Sequence, residues 1–244
     1  IFEPCNDKRI ENLKKITFES KFNEPQLKPL EKFPKLTHLT FGENFNQTIE
    51  QLHLLTNLTH LTFGKYFNKH IGRTEEDGTQ ILLLPPNLTY LEFGSTFRQQ
   101  SGTNSIYQDI TILNKLTKLT HLILYGNSLN YFGEDLQKIS PPSLTNLVLG
   151  DGFDNELNLN EGLRNTLTHL SIGKEFFNRT LEPLRRFTKL KHLTFGASFG
   201  AESKKYWKNH NDPYSDPPIV KSSIPKLLEP LSSLQQLTHL TFGE

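Results

Sequence analysis

Six of the nine histidines in this 244-residue chain fall in one repeated wording: His38, His60, His121, His169, His192 and His239 each stand third in a segment such as LTHLTFG. Imidazoles at a fixed spacing can ligate a metal, titrate near neutral pH, or hydrogen-bond a partner. Zinc needs three or four converging ligands. An in-register row offers two per adjacent pair, so the pattern argues against a metal centre, and no cofactor is expected. Protonation near pH 6 would place like charges about one strand spacing apart. Repeat duplication alone also accounts for the histidines. A second candidate is Gly196-Ala197-Ser198-Phe199-Gly200, which fits the G-x-S-x-G nucleophile elbow of hydrolases. The same five positions read GENFN, GKYFN and GSTFR elsewhere, so Ser198 fills a slot that otherwise holds Asn44, Tyr66 or Thr96. An elbow also needs a following helix and an acid and a histidine in order, and only 44 residues, rich in proline, follow Gly200. The chain is therefore expected not to be an enzyme.

The elements that position these residues follow from the repeat. Its first leucines are Leu13, Leu36, Leu58, Leu88, Leu119, Leu144, Leu167, Leu190 and Leu237. The shortest intervals, 22–23 residues, fall in the leucine-rich-repeat range. Unit positions 1, 4 and 6 are apolar throughout, which predicts a short strand with one face buried at each occurrence. Each unit must travel out and back to start the next, so the strands stack in parallel. A glycine at position 7 predicts a sharp exit from the strand or a positive φ. Phenylalanines at position 10 (Phe22, Phe45, Phe67, Phe97, Phe153, Phe176, Phe199) predict an internal aromatic spine. Asparagines beside them, such as Asn23, Asn46 and Asn68, predict capping of turn backbone. Leu27, Leu30 and Phe33 are spaced by three, as are Leu181, Leu184 and Phe187. That spacing suits 3₁₀ turns on the return path.

The expected architecture is an α/β, leucine-rich-repeat-like right-handed solenoid. A parallel β-sheet forms its concave face and short 3₁₀ or helical turns its convex face. One domain is expected over 1–244, with about nine repeats and insertions near 69–86, 98–115 and 200–226. The interval 190–237 could hold a degenerate repeat.

Positions 3 and 5 face solvent on such a sheet and are the candidate partner-binding surface: His38, Thr40, His60, Thr62, Tyr90, Glu92, His121, Ile123, Asn146, Val148, His169, Ser171, His192 and Thr194. Ile123 and Val148, near Tyr90, break the polar row and suggest an anchor patch. Ordinary β-propensity explains the same residues. The longest insertion carries the only tryptophan, Trp207, with Tyr206 and Tyr214. It is either a binding loop or a solvated one.

The core L-T-H-L-T-F-G-x-x-F-N, as in 36–46 and 58–68, resembles the FNIP repeat, a leucine-rich-repeat relative of social amoebae and of large DNA viruses that infect amoebae. The resemblance runs from about Leu13 to Gly243. The unit at Leu119 departs from it with one extra residue before its glycine. The units at Leu167 and Leu190 displace or lose the Asn. Such repeats often follow an F-box, which docks on a ubiquitin-ligase scaffold. Nothing in residues 1–12 matches an F-box, and the absence of methionine at position 1 suggests that the natural start lies upstream. The resemblance implies a protein–protein interaction module, the substrate-selecting part of a ubiquitin ligase if an F-box precedes it. A self-associating structural protein is the alternative, and a hydrolase using Ser198 a weaker one.

Composition narrows the partner. Net charge is +1, and the one basic and aromatic cluster is KKYWKNH at 204–210, so nucleic acid is not expected. No apolar run reaches the length of a membrane span. A single cysteine, Cys5, and no visible signal peptide point to a reducing, cytoplasmic setting, that of the host cell if the protein is viral. Four glycosylation sequons begin at Asn46, Asn57, Asn87 and Asn178 and read as by-products of repetition. No phosphate loop, dinucleotide fingerprint, zinc spacing or calcium loop is present.

Overall fold

A computed structural model describes residues 10–97, 110–125, 136–153, 156–174, 176, 180–197, 199 and 227–243. The repeated segments form β1 (Lys15–Thr17), β2 (His38–Thr40), β3 (His60–Thr62), β6 (Tyr90–Phe93), β7 (His121–Leu124), β8 (Asn146–Leu149), β9 (His169–Ile172), β10 (His192–Phe195) and β11 (His239–Phe242). They make one nine-stranded sheet in the order β1-β2-β3-β6-β7-β8-β9-β10-β11, every pair parallel. Register is strict: leucine faces leucine at position 4 from Leu39 to Leu240. A shift of one residue would turn every buried leucine outward, and the repeat wording forbids that.

The return paths are 3₁₀ turns, including Lys28–Lys32, Leu52–Leu54, Glu182–Arg186 and Glu229–Ser233; one short α-helix lies at Glu161–Arg164. The residues spaced by three bond one another. Leu30 N–H donates to Leu27 O, Phe33 N–H to Leu30 O, and Leu36 N–H to Phe33 O, at 2.9–3.1 Å. The same chain of bonds links Leu181, Leu184, Phe187 and Leu190. Each apolar side chain points into the core while its backbone closes the turn. Proline opens three of these turns, where its missing N–H costs nothing.

Between sheet and turns lies a core of leucine and phenylalanine. Phe45, Phe67, Phe153 and Phe176 are fully buried. Within a repeat the rings at positions 6 and 10 stack at 3.8–4.1 Å, as in Phe63–Phe67 and Phe195–Phe199. Between repeats the position-10 rings follow one another at 6.0–6.2 Å. Leu124 replaces phenylalanine at position 6 in β7, between the two runs of rings.

Five features differ from the sequence-based expectation. The position-7 glycines do not use positive φ; among the described glycines only Gly78 does. Their role is close approach: a Cβ on Gly64 would sit 2.1 Å from Gly42 O and 2.7 Å from Glu43 Cα. The asparagines cap the next repeat, not their own turn, with Asn23 Oδ1 accepting from Asn46 N–H at 2.8 Å and Asn46 Oδ1 from Asn68 N–H at 2.9 Å. Two sequon asparagines, Asn57 and Asn87, donate from Nδ2 to carbonyls of the preceding repeat at 2.7 Å, so packing accounts for their recurrence. The segment expected as an insertion at 69–86 contains an antiparallel hairpin of β4 (Gly72–Thr74) and β5 (Gln80–Leu82). The insertion expected at 98–115 ends in core structure, because Ile110–Lys115 is a 3₁₀ turn that buries Ile110, Ile112 and Leu113.

Across the long interval 190–237, β10 and β11 are neighbours in the sheet. His192 pairs directly with His239, and the turn Glu182–Arg186 packs on Glu229–Ser233. Arg185 Nη2 reaches Glu229 at 3.1 Å and Ser233 Oγ donates to Arg185 O, so the stack closes across the interval.

Candidate interaction face

The unpacked side of the sheet carries unit positions 2, 3 and 5. Position 2 is threonine in seven repeats: Thr37, Thr59, Thr89, Thr120, Thr145, Thr168 and Thr238. Each hydroxyl lies 2.9–3.3 Å from a carbonyl of the preceding repeat. Where histidine follows, the hydroxyl also lies 2.8–2.9 Å from its Nδ1. A hydroxyl has one proton, so the two contacts are complementary. With neutral imidazole the hydroxyl donates to Nδ1 and Nε2–H points outward. With imidazolium, Nδ1–H donates to the hydroxyl, which turns its proton to the carbonyl. Either way the ring is held edge-up on the sheet. The sequence reading missed these threonines, although their recurrence at one unit position was the available signal.

Held this way, the rings stack. His38 and His60 lie 4.1 Å apart, and His60 continues to Tyr90 at 5.6 Å. His169, His192 and His239 form a second column at 4.2 Å steps. Most position-3 side chains, expected to face solvent, are thus half-buried; Lys15, His121 and His239 are exposed. Burial comes first in holding His60 and His169 below the usual histidine range, with neighbouring histidines adding to it (His38 and His121 for the former, His192 foremost for the latter). Among the described residues no group of three or more His, Cys, Asp or Glu could hold a metal ion.

The face divides by chemistry along the stack. His38, Thr40, His60 and Thr62 form a polar first section. Glu92 follows, accepting from Tyr90 Oη at 2.5 Å. Burial and this carboxylate push the Tyr90 hydroxyl far up, and burial with Glu92 and Asp151 raises Tyr125. A shallow hollow of about 170 Å³ comes next, lined by Ile123, Asn146, Val148, Ser171 and the flanking His121 and His169. His192, Thr194 and His239 complete the last section. The structure thus brings the fourteen candidate positions onto one surface, in register. Ser198, Tyr206, Trp207 and Tyr214 lie outside the described residues. No described helix is long and apolar enough to cross a membrane.

No family model and no curated protein matches this chain. Among solved structures it is similar to CroV588, a circular leucine-rich-repeat protein of a giant virus, at 30% identity and a TM-score of 0.54; the match covers 95% of this chain and 27% of that one. It also aligns with an internalin (inlF) of Listeria monocytogenes at 15% identity and a TM-score of 0.43, over 97% of this chain and 68% of that one. The chain therefore spans about a quarter of the length of the giant-virus protein.

Proposed function

We propose that this leucine-rich-repeat solenoid is a protein-recognition module that binds through the open face of its sheet without catalysing a reaction. One observation carries the reading: strict register turns isolated side chains into a continuous, chemically varied surface with a half-exposed aliphatic centre at Ile123 and Val148. The core and the inter-repeat hydrogen bonds hold that surface rigid, so binding costs little ordering on this side. Affinity capture with the whole chain, repeated with Thr62→Arg and Val148→Arg, tests it. A genuine partner loses at least about 30-fold in affinity to one of them, the size of a hot-spot loss. Partners that bind both variants at wild-type strength overturn the reading.

The likeness of the refrain to the FNIP repeat extends the proposal to a cytoplasmic substrate selector of a ubiquitin ligase. The full open reading frame checks that step: an F-box upstream supports it, and a different appended domain removes it.

A further inference from the structure

The ring column on the open face is interrupted once inside the stack, at Asn146. Its neighbours His121 and His169 sit two strands apart, about 9.6 Å at the usual spacing. Asn146 Oδ1 accepts from Thr145 Oγ1 at 2.8 Å, and its Nδ2 has no partner among the described residues. The floor is aliphatic, from Ile123 and Val148. A missing ring between two rings, over an apolar floor with one spare donor, is a seat for a planar aromatic group.

On one side of this seat the face presents a row of imidazoles. His169, His192 and His239 follow at successive strands. The charged and titratable groups around them are His121 on β7, Lys191 before β10 and Lys174 beyond β9. Lys174 pairs with Asp151 outside the open face, and Glu92 lies beyond the hollow on the other side. No carboxylate among the described residues occupies position 3 or 5 of β9, β10 or β11.

We infer that the face receives an extended acidic protein segment lying across the strands, with an aromatic side chain seated at Asn146 and carboxylates over the His169–His192–His239 column. The inference rests on the recognition reading above and names its ligand chemistry. Spacing sets the motif. Alternate side chains of an extended segment are about 6.8 Å apart, so from an aromatic residue at Asn146 the second residue on falls between His169 and His192. The fourth residue on, about 13.6 Å away, falls at His239. The pattern is aromatic-x-acid-x-acid. Carboxylates accept from the imidazole Nε2–H groups and favour imidazolium, so binding strengthens as pH falls.

The test is fluorescence anisotropy of the whole chain at about pH 6 and 7.5, with fluorescein-labelled Gly-Trp-Ser-Asp-Ser-Asp-Gly as the probe. The expected result is saturable binding that weakens about tenfold when Trp is replaced by Ala, when both Asp become Asn, or when pH rises to 7.5. Asn146→His supplies the ring found at this position in six other repeats, so the fold tolerates it; it should abolish the preference for Trp over Ala. His192→Asn should abolish the preference for Asp over Asn. No saturable binding at the lower pH, an Asn peptide as good as the Asp peptide, Asn146→His without effect, or stronger competition by a short oligothymidine each overturns the inference. A partner that is lost on Thr62→Arg and indifferent to Asn146→His also overturns it, while leaving the recognition reading standing.

Discussion

Replacing Gly64 separates two explanations for the glycine in the refrain. If glycine were there for a left-handed backbone, asparagine would be the mildest substitute, because it enters that region more readily than alanine. If it is there for close approach, any Cβ fails. The structure favours the second: a Cβ at Gly64 would lie 2.1 Å from Gly42 O, 2.5 Å from Gly42 C and 2.7 Å from Glu43 Cα. All three are backbone atoms of the neighbouring repeat, which cannot rotate away. Relief to ordinary contact near 3.4 Å needs a local separation of about 1 Å, beside the bonds Phe41 N–H to Thr62 O and Phe63 N–H to Glu92 O, both 2.9 Å. Overpacking of this kind costs about 1–3 kcal/mol, with part of the strain on those bonds as well. We expect Gly64→Ala to lose about 3 kcal/mol and Gly64→Asn at least as much. Gly78→Asn, at φ +85 and in open space, should be near neutral. Urea unfolding followed by circular dichroism reads the difference as a midpoint shift of about 1 M. A Gly64→Asn protein clearly more stable than Gly64→Ala would refute the close-approach account.

Three further outcomes are expected. Phe67→Ala, at a fully buried ring stacked on Phe63 at 3.8 Å, should cost about 3–5 kcal/mol in the same assay. Phe67→Leu should keep most of the burial and lose only about 1 kcal/mol, the share of the aromatic contacts. Asn46→Ala leaves the Asn68 N–H without its acceptor and should cost about 1–2 kcal/mol, while Asn46→Asp should cost less because the acceptor remains. Stability should fall with acidification around pH 6. His60 and His169 titrate below the unfolded histidine value, so the unfolded chain binds more protons there, and stability present above that value is lost as pH drops through it. Denaturant midpoints at pH 7.5 and 5.5 measure this, and the double variant His60→Asn, His169→Asn should show a smaller difference than wild type.

Much of the fold was legible because each repeat states the same local instruction. Leu39, Leu61, Leu91 and Leu122 at one unit position, with phenylalanine or leucine two residues on, specify a half-buried strand each time. A recurring interval of 22–23 residues, lengthened only by insertions, leaves parallel stacking as the way to bury them all. The spacing of Leu27, Leu30 and Phe33 announced 3₁₀ turns, since one periodicity serves both burial and hydrogen bonding. The threonine ladder was visible as repetition without a reason, and the asparagine caps were assigned to their own turns, because the partners of both stand a whole repeat away. The β4–β5 hairpin went unread because it occurs once. Without repetition, Gly72–Leu82 has only its own weak local signal.

The sequence by itself determined the rungs: which residues point inward, how long each strand is, and that successive strands run the same way. The physical reason is that alternation and period are properties of the chain. Only the tertiary structure decided what the rungs do to one another. It made glycine a spacer instead of a turn residue, gave Asn57 and Asn87 the task of tying turns together, and stacked His169, His192 and His239 while leaving a seat at Asn146. Those outcomes depend on distances between atoms 22 or more residues apart, which are set when the repeats pack together.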